Sequence, residues 1–95
     1  MTKDVNFDIT SVYYWFGETE KNEWYLSSVN QYFKDRLRGD DWISLNDVLE
    51  RLGIPRTMEG QKIGWFGSEN PEDLFTYQSY IGGFIISFKD LVNLF

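Results

Sequence analysis

The chain has 95 residues, 19% of them aromatic, no cysteine, no histidine, and a formal charge of −6 from fifteen acidic and nine basic side chains. One small domain fits that length, and its aromatic content supplies apolar area for a core without disulfide or metal staples. The missing histidine and cysteine exclude zinc sites, thiol nucleophiles and Ser-His-Asp catalysis, and the acidic balance disfavours nucleic acid, whose phosphates it repels.

The domain is expected to span residues 1–95, with 1–8 as a flexible N-terminal segment. The opening MTKDVNFDIT carries charges and no apolar run, unlike a signal peptide. Ile9 to Phe16, ITSVYYWF, is β-branched and aromatic and reads as a strand. Gly17 to Asn22 reads as a polar turn and Glu23 to Leu26 as the second strand of a hairpin. Ser28 then opens a first helix in a capping-box arrangement with Gln31. Val29, Tyr32, Phe33 and Leu37 follow at helical spacing, and Gly39 is a stop. Lys34, Arg36 and Arg38 lie where cations suit the helix dipole.

Ser44 and Asp47 repeat the capping signal for a second helix. Its stripe is Leu45, Val48, Leu49 and Leu52, and Gly53 and Pro55 end it. Three strands are expected next, Ile63 to Phe66, Leu74 to Ile81 and Phe84 to Phe88, with Gly82-Gly83 as a two-residue hairpin loop. The tail KDLVNLF fits a short helix or a strand equally. No window approaches the ~18 apolar residues that cross a bilayer. The order of β-hairpin, two helices and antiparallel β-meander makes an α+β fold, with the helices packed on one face of the sheet. Its expected core is Phe33, Leu45, Val48, Leu49, Leu52, Trp65, Phe75, Tyr77 and Ile85.

The stretch from Ser44 to Thr57 resembles the first half of a helix-turn-helix. A recognition helix would have to follow Gly53, but that region holds Gly60, Gly64 and Gly67 and no apolar stripe. It reads as loop and then strand. Catalysis has little to draw on beyond carboxylates. Glu18, Glu20 and Glu23 cluster in one segment, Asp40 and Asp41 in a second, and Glu69, Glu72 and Asp73 in a third. None matches a calcium loop, and no phosphate-binding glycine motif is present. The expectation is a non-enzyme without metal or cofactor.

Four tryptophans and six tyrosines are more than a small core hides, and such residues anchor protein interfaces. In the run Tyr13-Tyr14-Trp15-Phe16, strand alternation sends two rings to each face. Tyr14 and Phe16, with the eight acidic residues above, are therefore the candidate partner-binding residues.

The pattern SLNDVLERLGIPRTMEGQKIGW, with an aromatic helix before it and an aromatic strand pair after it, resembles a small domain of unknown function found in phages and prophages of Gram-positive bacteria. The resemblance covers Ser11 onward. It implies a helix start at Ser44-Leu45-Asn46-Asp47, turn or cap roles for Asn46 and Thr57, and core roles for Leu49 and Trp65. It implies no catalytic site and no ligand. The expected function is protein binding in the host cytoplasm, as an acidic inhibitor of a host nucleic-acid-binding protein or defence nuclease, of the anti-restriction or anti-CRISPR type. The alternatives are an assembly or homodimerisation module, and nucleic-acid binding through Lys34, Arg36, Arg38, Arg51 and Arg56. A host or phage protein, or a second copy, is the expected partner, and no membrane is.

Overall fold

The computed structural model describes residues 3–8, 19–69, 72–80 and 82–95. The elements run β1 (Lys3–Asp8), α1 (Thr19–Leu37), β2 (Trp42–Ser44), α2 (Leu45–Leu52), β3 (Ile63–Phe66), β4 (Phe75–Tyr80), β5 (Gly83–Phe88) and β6 (Val92–Asn93), with short 3₁₀ turns at Glu59–Gln61 and Gly67–Glu69. The architecture is α+β, with two helices and two three-stranded antiparallel sheets among the described residues.

Three expectations about the N-terminal third are corrected. Lys3–Asp8 is a strand paired with β5, held by the burial of Phe7, so residues 3–8 are not a loose leader. Glu23 to Leu26 lies inside α1 and is not a hairpin strand. Asn22, Leu26, Val29, Phe33 and Leu37 are all buried, and their spacings of four, three, four and four residues hold a single helical face against the core. Ser28 is therefore mid-helix, where its Oγ donates to the Trp24 carbonyl one turn back at 2.8 Å instead of capping. The expected strand Ile9 to Phe16 falls outside the described residues.

Where the capping signals are local, the expected helix forms. Ser44 is the N-cap of α2; its Oγ accepts from the Asp47 N–H at 3.3 Å while its own N–H donates to Asp47 Oδ2 at 3.2 Å. Gly53 closes the helix at φ 77, a left-handed conformation that glycine adopts without strain. Leu45, Asn46, Val48, Leu49 and Leu52 are buried, and each large aliphatic side chain so buried contributes about 1.5–3 kcal/mol.

Asn46 is the polar member of that face. Its Nδ2 donates to the Thr57 carbonyl at 2.8 Å, and its Oδ1 accepts from the Thr57 N–H at 2.9 Å. The amide thus pairs with Thr57 as a neighbouring strand would, and Thr57 Oγ1 in turn accepts from the Gly60 N–H at 2.9 Å. Asn46→Ala is expected to leave both Thr57 groups without these partners and to cost about 2–4 kcal/mol. In urea titration that appears as a lower midpoint with an unchanged slope.

The strands expected to form one meander divide between two sheets. β4 and β5 are the hairpin anticipated, but their neighbour is β1, giving the order β1-β5-β4. β3 joins β2 and β6 instead, in the order β2-β3-β6, and the tail resolves as the short strand β6 with a bend before it. Gly64 decides this pairing: it faces Ser44 across the ladder, where a Cβ would lie 2.0 Å from the Ile43 carbonyl oxygen. Tyr80 pairs with Gly83, so Gly83 is already strand, and Gly82 carries the positive φ of the turn.

In the first sheet Phe7, Phe75, Phe84, Ile86 and Phe88 face inward and are buried. Ile85, expected in the core, is 42% exposed. It pairs with Asn6 and Gln78, one step out of phase with Phe84 and Ile86, so the pleat turns it outward. Phe33, Leu45, Val48, Leu49, Leu52, Trp65 and Phe75 are buried as expected, and Tyr77 packs partly buried against them. The two sheets and both helices share a single apolar cluster.

Candidate binding surface

Along α1, Trp24, Ser28, Tyr32 and Arg36 recur every fourth residue and make a stripe beside the buried face. Trp24 is 71% exposed and Tyr32 40% exposed. Across from them, the Arg51 guanidinium in the last turn of α2 lies 4.5 Å from the Tyr32 ring centroid, and that of Arg36 lies 5.9 Å from it. Both are cation–π distances. The phenol of Tyr25 donates to the Arg51 carbonyl, which ties the end of α2 to α1 and sets the position of the arginine.

Two shallow clefts between the helices share Tyr32 and Arg51. One, of about 320 Å³, is lined also by Phe33, Arg36, Asp47 and Glu50. The other, of about 190 Å³, is lined also by Trp24, Tyr25, Ser28 and Val29. Together they form a groove that runs from Trp24 to Arg36, lined by aromatic side chains (Trp24, Tyr25, Tyr32, Phe33) and charged ones (Arg36, Asp47, Glu50, Arg51). Its residue types are those in which interface hot spots concentrate.

The acidic residues singled out in the sequence do not converge. Glu20 and Glu23 are exposed on the first two turns of α1, whereas Asp40 and Asp41 lie beyond its far end, about 25 Å away by helical rise. Asp40 is paired with Arg36 at 3.1 Å. Asp73 accepts from Asn30 Nδ2 at 3.3 Å and meets Lys34 at 3.7 Å, so it helps hold the entry to β4 against α1; Glu72 beside it is exposed. The Asp41 carbonyl accepts from the Gly67 N–H at 2.9 Å, which brings the turn carrying Glu69 beside Asp40 and Asp41. Tyr14, Phe16 and Glu18 lie outside the described residues.

The basic residues are likewise distributed. Lys34 meets Asp73, Arg36 meets Asp40, Arg38 meets Asp35 and Arg56 meets Glu50, while Arg51 packs on Tyr32. Such pairing leaves little unbalanced positive charge along the two helices. Among the described residues there is no group of three or more Asp or Glu placed to hold a metal ion, and no helix long and apolar enough to cross a membrane.

A family of unknown function (DUF6353) matches residues 3–84, a span that takes in the α1–α2 groove and everything through the start of β5. The chain belongs to this family. Neither the curated proteins nor the solved structures contain a match to it. For this DUF6353 member the functional reading rests on its own surface. The groove escaped the sequence reading because Trp24 is there assigned to a strand; the four-residue recurrence of Trp24, Ser28 and Tyr32 is the signal that a helical reading of the segment exposes.

Proposed function

We propose that this domain is a non-enzymatic protein-binding module that engages its partner through the groove between α1 and α2. The observation that carries this reading is Trp24, 71% exposed on a helix otherwise anchored in the core. A large indole with only two side-chain torsions gains its contact area on binding at little conformational cost. Tyr32 and Arg51 beside it extend the same anchor.

The narrower reading is a phage or prophage protein that acts in the host cytoplasm as an acidic inhibitor of a nucleic-acid-binding protein or defence nuclease. It is supported by the motif resemblance, by the −6 charge, and by the placement of Glu20 and Glu23 within about one turn of Trp24. Carboxylates flanking an aromatic anchor draw a basic groove toward it and speed encounter.

Trp24→Ser is expected to leave the melting temperature unchanged and to weaken partner binding by about 2 kcal/mol or more, roughly thirtyfold. The check is a paired capture from a Gram-positive host lysate with tagged wild-type and Trp24→Ser proteins, eluted by a salt gradient. One nucleic-acid-binding protein, held by the wild type alone and released as salt rises, is the expected outcome. Identical captures by both proteins would remove the groove from the reading. Retention insensitive to salt and to reversal of Glu20 and Glu23 would remove the inhibitor version and keep the binding module.

A further inference from the structure

β4 reads FTYQSY, six residues with no charge, proline or glycine, and among the described residues it forms an edge of its sheet. β1, at the opposite edge, reads KDVNFD and carries three charged side chains. Sheets guard their edges against strand addition with charges, prolines and bulges, and β4 has none of these.

The phase of the ladder identifies which backbone groups β4 offers. The Lys89 N–H donates to the Leu74 carbonyl at 2.9 Å. From that pair the bonding alternates, so Thr76, Gln78 and Tyr80 turn their backbone groups toward β5, while Phe75, Tyr77 and Ser79 turn theirs outward. Asn30 Nδ2 donates to the Phe75 carbonyl at 3.1 Å and closes that end of the row. Among the described residues, the N–H and C=O groups of Tyr77 and Ser79 have no partner.

These groups are complementary to themselves. An antiparallel second copy with its Gln78 opposite this Gln78 places Tyr77 against Ser79 and Ser79 against Tyr77. Each of the two pairs exchanges both of its bonds, so the outward groups of Tyr77 and Ser79 are all satisfied. Charge favours the same arrangement: two chains of −6 repel, and β4 brings no ionised side chain to the contact. A two-fold axis also closes the assembly at two chains.

We infer that β4 pairs with β4 of a second copy about a two-fold axis at Gln78, joining two three-stranded sheets into one of six strands. This surface is separate from the α1–α2 groove, so Trp24→Ser leaves the dimer intact and the two readings fail independently.

The test is sedimentation equilibrium across a wide concentration range. Gln78 is exposed, so Gln78→Lys and Gln78→Glu preserve the fold. Each sets like charges against each other across the axis and is expected to weaken the dimer about tenfold or more. An equimolar mixture of the two variants restores it as a heterodimer. Ser79→Pro removes an outward N–H without touching the β4–β5 ladder and also gives a monomer. A wild type monomeric at every concentration overturns the inference, as does a dimer that survives both Gln78→Lys and Ser79→Pro. Loss in each charge variant without recovery in the mixture overturns the two-fold register.

Discussion

Trp65→Ala is expected to cost about 3–5 kcal/mol, a large share of the roughly 5–15 kcal/mol that keeps a domain folded. Trp65 stands on β3 opposite Ile43 and is 1% exposed. Its ring lies 6.2 Å from that of Phe88 on β5, and its Nε1–H donates to the Lys89 carbonyl at 2.7 Å. One side chain therefore joins the sheet β2-β3-β6 to the sheet β1-β5-β4, by packing and by a hydrogen bond. Trp65→Phe separates the two contributions: most of the apolar volume stays and the donor goes. Its expected loss is smaller, about 1–3 kcal/mol. Urea denaturation read by far-ultraviolet circular dichroism measures both, and a Trp65→Ala protein with an unchanged midpoint would sink the bridging role.

Gly64→Ala adds a single methyl group and is expected to cost about 3 kcal/mol or more. The new Cβ would lie 2.0 Å from the Ile43 carbonyl oxygen and 2.8 Å from the Ser44 Cα. Both are backbone atoms, so no side chain can swing aside to make room. β2 must move away from β3, and Ser44, which caps α2, moves with it. The expected signature is a lower melting temperature together with faster amide exchange at Trp65 and along α2. Gly39→Ala is the control: its Cβ meets nothing within 4 Å, and its effect stays within about 1 kcal/mol.

What could be read from the sequence was what is encoded locally. α2 announces itself through Ser44 and Asp47 at one end, Gly53 at the other and an unbroken apolar stripe between them. The β4–β5 hairpin is similarly self-contained. The N-terminal third is decided by partners distant in sequence. Val5 and Phe7 alternate too briefly among charges to signal a strand, and β1 forms because β5, some 80 residues on, supplies its ladder. Trp24 and Tyr25 have strand-like side chains, yet the burial of Asn22 and Leu26 against the core extends the helix through them.

The candidate surface follows the same division. The acidic residues were legible as composition, but composition does not say that helix length separates Glu20 and Glu23 from Asp40 and Asp41, or that Asp73 is engaged by Asn30 and Lys34. Trp24, Tyr32 and Arg51 become one groove only when two helices meet, and that meeting is long-range.

The pairing of Lys3 with Phe88 also has a bearing on synthesis. At roughly 5–20 residues per second, β1 leaves the ribosome many seconds before β5 exists, and during that interval Val5 and Phe7 have no sheet to enter. The short-range unit from Ser44 to Gly60, closed by the capping box and the Asn46 clamp, can form while the chain is still growing. Closing so long a span is slow, so β1 is expected to join the sheet after the self-contained β4–β5 hairpin has formed. The nascent chain must spend the wait with Val5 and Phe7 exposed.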